Sequence, residues 1–301
     1  MLGRRQIREK VIGTIYAYYQ NPIQYDVLEK NMFTEIEKIY NLYIYQLNFF
    51  VGLKELAEKQ MDINSKKYFK TEADINPNRK FIENRILEQI ENNTERLAFT
   101  AKNKSLRWDL HDDLLVKTYQ KIIAGKRYKD YMTSEENSFE EDQKFIGKLF
   151  LRYIAEGEDF HDHLEDKEMS WADDFHITNS MIQKTVGFMR ENEPSHTLIK
   201  MIKDAEDRTF ASKLLRQTLN HWENTEKKLE ERLVNWEIER ISLMDKIILV
   251  TSFSELDFFP LTPSRVIINE YIEIAKVFST DKSNIFINGI LDKYVKDLNR
   301  N

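Results

Sequence analysis

Four residues near the start of the chain have the side chains that hold a nucleic-acid strand. Arg4, Arg5 and Arg8 lie in the opening M-L-G-R-R-Q-I-R-E-K, and Tyr16 follows on the same predicted helix. At about 100° per residue, Arg5 and Tyr16 are about 1100° apart and so fall within roughly 20° of each other on one face. Arg4 and Arg8 are four apart and also adjacent. Guanidinium groups supply phosphate contacts and flat stacking surfaces, and a tyrosine on the same stripe offers a platform for a base. A structural reading stays open beside this one: a boundary aromatic and a solvated helix start. Positive charge at a helix N-terminus, however, opposes the macrodipole. At the other end of the chain, Lys282, Asn284 and Phe286 stand at the entry of the last predicted helix. The amine and amide suit phosphate or base edges, and the phenyl ring suits stacking or the core.

Other chemistry is poorly served. Glu158-D-F-H-D-His163 and His111-Asp112-Asp113 are the groups with metal-ligating side chains. On a helix, His161 and His163 point about 200° apart, and His161 with Glu165 gives two ligands where a site needs three or four. Gly-rich phosphate loops, nucleophile elbows and paired carboxylates are not visible. The chain has no Cys, which excludes a disulfide framework, a zinc knuckle and a thiol nucleophile. The expectation is a protein that is not an enzyme and takes no cofactor or metal.

The elements that must position these residues are helical. In 301 residues there are five Pro and eight Gly, little punctuation for turns, so the composition predicts an all-α fold. Ile7, Val11, Ile15 and Tyr18 recur at spacings of three and four, forming one apolar stripe on a first helix that ends near Asn21-Pro22. Phe33, Ile36, Ile39, Tyr40, Tyr43, Leu47 and Phe50 continue such a stripe over residues 26–60, a long helix that must be packed along most of its length. On the last helix Ile287, Ile290, Leu291, Tyr294, Val295 and Leu298 form the buried stripe, and Asn288-Gly289 within it calls for a close-packing or backbone-approach reason. Residues 62–77 are the best linker candidate, followed by 133–137 and 191–194. No apolar run reaches signal-peptide or membrane-spanning character, so a cytoplasmic location is expected.

Net charge is −6, unevenly spread. Residues 1–133 carry 23 basic and 18 acidic groups, residues 134–199 carry 6 and 16, and residues 200–301 carry 16 and 17. Any nucleic-acid contact would therefore be local and not a broad electrostatic footprint.

Residues 141–188 align without gaps on 206–253, pairing Phe145 with Phe210, Lys148 with Lys213, Leu149 with Leu214, Leu164 with Leu229, Trp171 with Trp236 and Ile182 with Ile247. A weaker third copy runs from Phe81 to Trp108. Either charged helices coincide by chance, or a helical unit recurs and each copy covers the apolar face of the next. In both cases Trp108, Trp171 and Trp236 are expected as core anchors.

The C-terminal strings are more specific. Pro263, Val266-x-Ile268-Asn269-Glu270, Ala275-Lys276-x-Phe278, Ser283, Phe286-Ile287-Asn288-Gly289 and Leu291-Asp292-Lys293, preceded by Asp245-K-I-I-L and Glu255-Leu256, resemble the NusB family of bacterial transcription antitermination factors. The opening Gly3-R-R-Q-I-R-E-K-V-I-G-T-I-Tyr16 is similar to the family's first helix. The resemblance covers roughly residues 3–20 and 207–298. It departs from the family in length, in Val250 where the family usually has Arg, and in Ser254 where it usually has an aromatic.

The resemblance implies an RNA-binding transcription antitermination factor. Its partners would be single-stranded boxA-like RNA, NusE (a small-subunit ribosomal protein) and the transcription elongation complex, in ribosomal RNA transcription. It also implies that Glu239 and Asp245 lie on the segment facing NusE, beside which a solvated charged face stays open as a reading. The residues themselves read Asn269-Glu270 as opening the helix before the last one and as structural, holding loops by hydrogen bonds. A NusB-like domain also occurs ahead of ribosomal RNA cytosine methyltransferases; the chain continues only about ten residues past the block, so that arrangement is not expected. The rival from another class is a helical protein-interaction scaffold that keeps the fold without RNA binding. The expected layout is an N-terminal helical part over 1–75 with the basic first helix, a helical insertion of related repeats over 76–200, and a NusB-like bundle over 201–301.

Overall fold

The computed structural model describes residues 3–193, 198–200, 202, 205–233, 238–280 and 282–298, and these form helices and connecting turns with no strand among them. In chain order the α-helices are α1 (Arg4–Gln20), α2 (Tyr25–Ser65), α3 (Glu72–Ile75), α4 (Arg85–Glu91), α5 (Thr94–Lys102), α6 (Asp113–Ala124), α7 (Lys126–Thr133) and α8 (Phe139–Phe150). They continue as α9 (Glu158–Lys167), α10 (Met169–Phe188), α11 (Ala205–Asn220), α12 (Trp222–Glu230), α13 (Leu243–Phe258), α14 (Ser264–Phe278) and α15 (Ser283–Asp297). The all-α expectation is met. No helix of the described residues is long and apolar enough to cross a membrane. Contacts group the chain into two units, Met1–Ile36 with Met201–Asn301, and Glu37–Lys200.

In the first unit, α13 is the central helix. Every residue from Ile247 to Leu256 is buried, and α1, α11, α12, α14 and α15 all pack on it. Ser242 starts it by accepting the Asp245 N–H at 3.1 Å, a cap that satisfies an otherwise orphaned donor. Polar side chains survive in this core by bonding back to their own helix, Ser252 Oγ to the Leu249 carbonyl at 2.7 Å and Ser254 Oγ to that of Val250 at 2.9 Å. Val250 and Ser254, the two departures from the family pattern, are fully buried. In this chain both side chains belong to the core.

The other helices of this unit present one apolar face each. On α1 the buried side chains are Ile7, Val11, Ile12 and Ile15, with Arg8 among them; Tyr18 of the expected stripe is half-buried. On α15 they are Ile287, Ile290, Leu291 and Tyr294, the Tyr294 ring stacked on Phe253 with centroids 3.7 Å apart. Each such aliphatic or aromatic side chain contributes about 1.5–3 kcal/mol through burial. Gly289 was expected to mark a close approach; instead it is exposed, and a Cβ there would meet open space.

The second unit is built around the part of α2 beyond Ile36. From Leu42 to Phe50 every residue is buried, so this stretch is surrounded and not merely amphipathic. Trp108 and Trp171 are buried against it, their indole N–H groups donating to the carbonyls of Tyr45 at 3.0 Å and Lys38 at 3.1 Å. These two are core anchors; Trp236 lies outside the described residues. Around them, α4 and α10 pack on α8, and α9 packs on α10 and α6. Between α8 and α9 the helix widens into a π-helical turn, Leu151–Ala155.

The segment 62–77, read as a linker, holds the last turn of α2 and the short α3, while 133–137 is the turn between α7 and α8. Within its own unit, the trio α8, α9, α10 follows the same order as α11, α12, α13, and Phe145, Leu149, Leu164 and Ile182 are buried like their partners Phe210, Leu214, Leu229 and Ile247. The weaker segment from Phe81 to Trp108 folds as α4, α5 and a short 3-10 turn, without the long third helix.

Candidate nucleic-acid interface

The arginines of α1 are held by carboxylates. Gln6 fixes the helix start, its Oε1 accepting the Gly3 N–H at 2.9 Å. One turn in, Arg8 is 2 % exposed and donates to both oxygens of Glu255, Nε at 2.7 Å and Nη2 at 2.5 Å. The Tyr271 hydroxyl donates to the same carboxylate at 2.8 Å, and the Arg8 guanidinium lies 5.2 Å from the Phe210 ring centroid. α1, α13 and α14 are thereby pinned at one point. Burial works against the Arg8 charge, but the hydrogen bonds and charge of Glu255 outweigh it and raise the guanidinium pKa. Burial, with the Glu255 charge second, pushes the Tyr271 phenol well above its ordinary value.

This arrangement corrects the expectation for Arg8. Its guanidinium is enclosed and committed to Glu255, so its role is to lock α1 onto α13 and not to meet a phosphate. The macrodipole cost of about 0.3–1 kcal/mol does not prevent a structural role for Arg8, because the Glu255 carboxylate neutralises its charge within the fold.

Arg5 and Arg4 sit progressively further out. Arg5 donates to Glu270 through Nε at 3.0 Å and Nη2 at 2.9 Å, with its side chain 38 % exposed; these bonds raise its pKa despite partial burial. Arg4 pairs with Glu206 at 2.6 Å and Asp207 at 3.5 Å while remaining 39 % exposed. Both keep an open edge. Glu270 ties α14 to α1 through Arg5 and not to a loop; it and the exposed Asn269 lie in the second turn of α14 and do not open that helix. Tyr16 is exposed on α1.

The second cluster stands at the start of α15. Lys282 is exposed, Asn284 and Phe286 are half-buried, and Ile285 beside them is 73 % exposed. α15 packs on α13 and α14, the helices that also receive α1. The two clusters therefore share one scaffold, and the main neighbours of α1 are α11, α13 and α14. An exposed apolar residue next to a lysine at a helix start is the feature that the stripe-based reading missed.

Asp245 is not a surface residue. It is 8 % exposed and its carboxylate accepts from Ser279 Oγ at 2.5 Å and Ser283 Oγ at 2.9 Å, which ties the start of α13 to the turn between α14 and α15. Its expected role at a partner surface is corrected to positioning that turn, because both carboxylate oxygens are engaged within the fold. The side chain of Glu239 lies outside the described residues.

The groups weighed as metal ligands are dispersed. The His163 Nε2 is 2.7 Å from the Tyr45 hydroxyl, and the His161 Nδ1 is 3.5 Å from Glu165. Asp112 caps α6 by accepting the Leu114 and Leu115 N–H groups. Among the described residues, no group of three or more His, Asp or Glu is placed to hold a metal ion.

With this geometry in place, the similarities to known proteins can be located on it. A family model described as NusB family matches residues 170–296. Transcription antitermination protein NusB of Salinibacter ruber is 38% identical over 105 residues, which are 34% of this chain and 66% of that protein. The protein of the same name from Methylacidiphilum infernorum is 37% identical over 97 residues (32% of this chain, 68% of that protein). That from Lysinibacillus sphaericus is 35% identical over 95 residues (32% and 75%). The chain thus spans about two thirds to three quarters of the length of these curated relatives. No solved structure matches it.

Proposed function

Because this chain belongs to the NusB family, we propose that it is an RNA-binding transcription antitermination factor that acts with NusE on boxA-type RNA during ribosomal RNA transcription. What supports this reading is the α13-centred bundle, on which α1 and the start of α15 each carry cationic and aromatic side chains, together its rim. Lys282, Asn284 and Phe286 line the start of α15, and Arg4, Arg5 and Tyr16 keep exposed edges on α1. A single strand is recognised in this way, by side chains that touch phosphate and stack on splayed bases. Glu255, Tyr271 and Asp245 serve the reading indirectly, by fixing the helices that present the rim.

One observation favours the rival scaffold. Arg4, Arg5 and Arg8 are each paired with carboxylates, so α1 brings less net positive charge to a phosphate backbone than its sequence suggests. The two readings separate on a single pair of variants. On the RNA reading, Lys282→Ala lowers the slope of affinity against salt by about 0.7 for a single strand, because one phosphate contact is lost. Phe286→Ala costs about 1–3 kcal/mol of binding through a lost stack. If binding to a boxA-like RNA is unchanged in both variants, the assignment of this rim fails.

A further inference from the structure

The unit Glu37–Lys200 carries an opening that the family resemblance does not address. Between α7, α8 and the π-helical turn lies a half-open cavity of about 340 Å³, at the small end of the range for ligand sites. Its apolar lining includes Tyr128, Phe145 and Leu149, and its mouth carries Arg127, Lys144 and Lys148. The position of these cations follows from the sequence. Lys144 and Lys148 are four apart on α8, so both project from the exposed face while Phe145 and Leu149 turn inward. α7 reads Lys126-Arg127-Tyr128-Lys129-Asp130-Tyr131, basic residues interleaved with aromatics.

Three observations set this opening apart from an ordinary surface groove. First, Arg127, Lys144 and Lys148 make no ion pair among the described residues, although residues 134–199 hold 16 acidic groups against 6 basic ones. Of the acidic residues lining the cavity, Glu141 is already paired with Lys80 at 2.7 Å, leaving Asp130 against three cations. Second, the aromatic wall is held by stacking and a hydrogen bond. Tyr131 stacks on Phe145 with centroids 4.0 Å apart and planes 8° apart, and its hydroxyl is anchored on Asp142 at 2.6 Å. Third, the rim includes Tyr153 of the π-helical turn, with its hydroxyl donating to the Lys121 carbonyl at 3.2 Å. Departures of this kind from α geometry recur at functional sites.

We propose that this cavity binds a nucleotide, with the base against Tyr128 and the Phe145 wall and the phosphate between Arg127, Lys144 and Lys148. Aromatic faces accept any base through stacking, and unpaired cations above an apolar floor favour a planar group that carries negative charge. The site is distinct from the rim of α1 and α15 and requires nothing of it. The same chemistry is offered by a nucleotide within a single RNA strand and by a free nucleoside monophosphate.

The test is photo-crosslinking on the full chain, with two probes: a short single-stranded RNA carrying thiouridine, and free thiouridine monophosphate. Peptide mapping is expected to place a crosslink within residues 126–153. Lys144→Ala with Lys148→Ala, both exposed and so leaving the fold intact by circular dichroism, should reduce its yield about tenfold and lower the salt slope of strand binding by about 1.4. Labelling by both probes identifies a nucleotide site open to free ligand, and labelling by the RNA alone identifies a strand site; both support the proposal. Absence of a crosslink in residues 126–153 with either probe, or a yield unchanged in the double variant, overturns it. Crosslinks to α1 or α15 peptides report separately on the function proposed above.

Discussion

At the scale of single residues, the Arg8–Glu255–Tyr271 cluster decides how α1 is read. A carboxylate that is fully buried within the apolar run of α13 requires a charged partner, and Arg8 supplies it from 247 residues away. Glu255→Ala leaves the guanidinium buried with only the longer contact to Glu270 at 3.9 Å, and is expected to lower the unfolding free energy by about 3–5 kcal/mol. The triple change Arg8→Met, Glu255→Leu and Tyr271→Phe removes both charges and the dependent hydroxyl, and should recover most of that loss. Arg4→Ala, at an exposed pair, should cost less than about 1 kcal/mol. Urea unfolding followed by circular dichroism ranks the three variants. The Glu255 signal was present in the sequence as an acid on the same helix as the apolar run Ile247–Val250; its partner was not, because neither spacing nor periodicity links positions so far apart.

At the scale of elements, the start of α15 depends on how the turn before it is held. The α14–α15 turn is tied to α13 by Asp245 through Ser279 and Ser283. Asp245→Ala should therefore cost about 2 kcal/mol through the two hydrogen bonds lost from Ser279 and Ser283, and speed amide exchange over the first turn of α15. Unchanged exchange there would show that the turn is held by other means. In the other unit, α9 bears on α2 through His163, which meets the Tyr45 hydroxyl and stacks against Trp108. Burial, the largest effect on this imidazole, holds its pKa below the ordinary value. The folded state thus resists a proton that the unfolded chain accepts at about pH 6.5. The stability this gives is present above that pH and lost as pH falls through the folded-state pKa. The urea midpoint should drop from about pH 7.5 to about pH 5.5, and His163→Gln should flatten that drop. An equal drop in the variant would assign the effect to other groups.

Over the whole molecule, helix existence and the buried faces of α1, α2 and α15 were legible because a 3.6-residue period is a local property of the sequence. The roles of Arg8 and Asp245 were not legible, because whether a charged side chain faces solvent or a distant counter-charge is settled only when α1, α13 and α14 pack. Val250 and Ser254 make the same point from inside the core: in sequence they mark a departure from a family pattern, and only the packing shows that both are buried here. The family block likewise divides once folded. Ile287, Ile290 and Leu291 make the bundle, while Lys282 is exposed and Asn284 and Phe286 are half-buried at the start of α15.

The claim that this bundle recognises RNA is tested most directly by one titration, the fluorescence anisotropy of a labelled boxA-like RNA against the full chain, with and without NusE. The account predicts saturable binding that weakens with salt and tightens when NusE is present. No binding in either condition would contradict it.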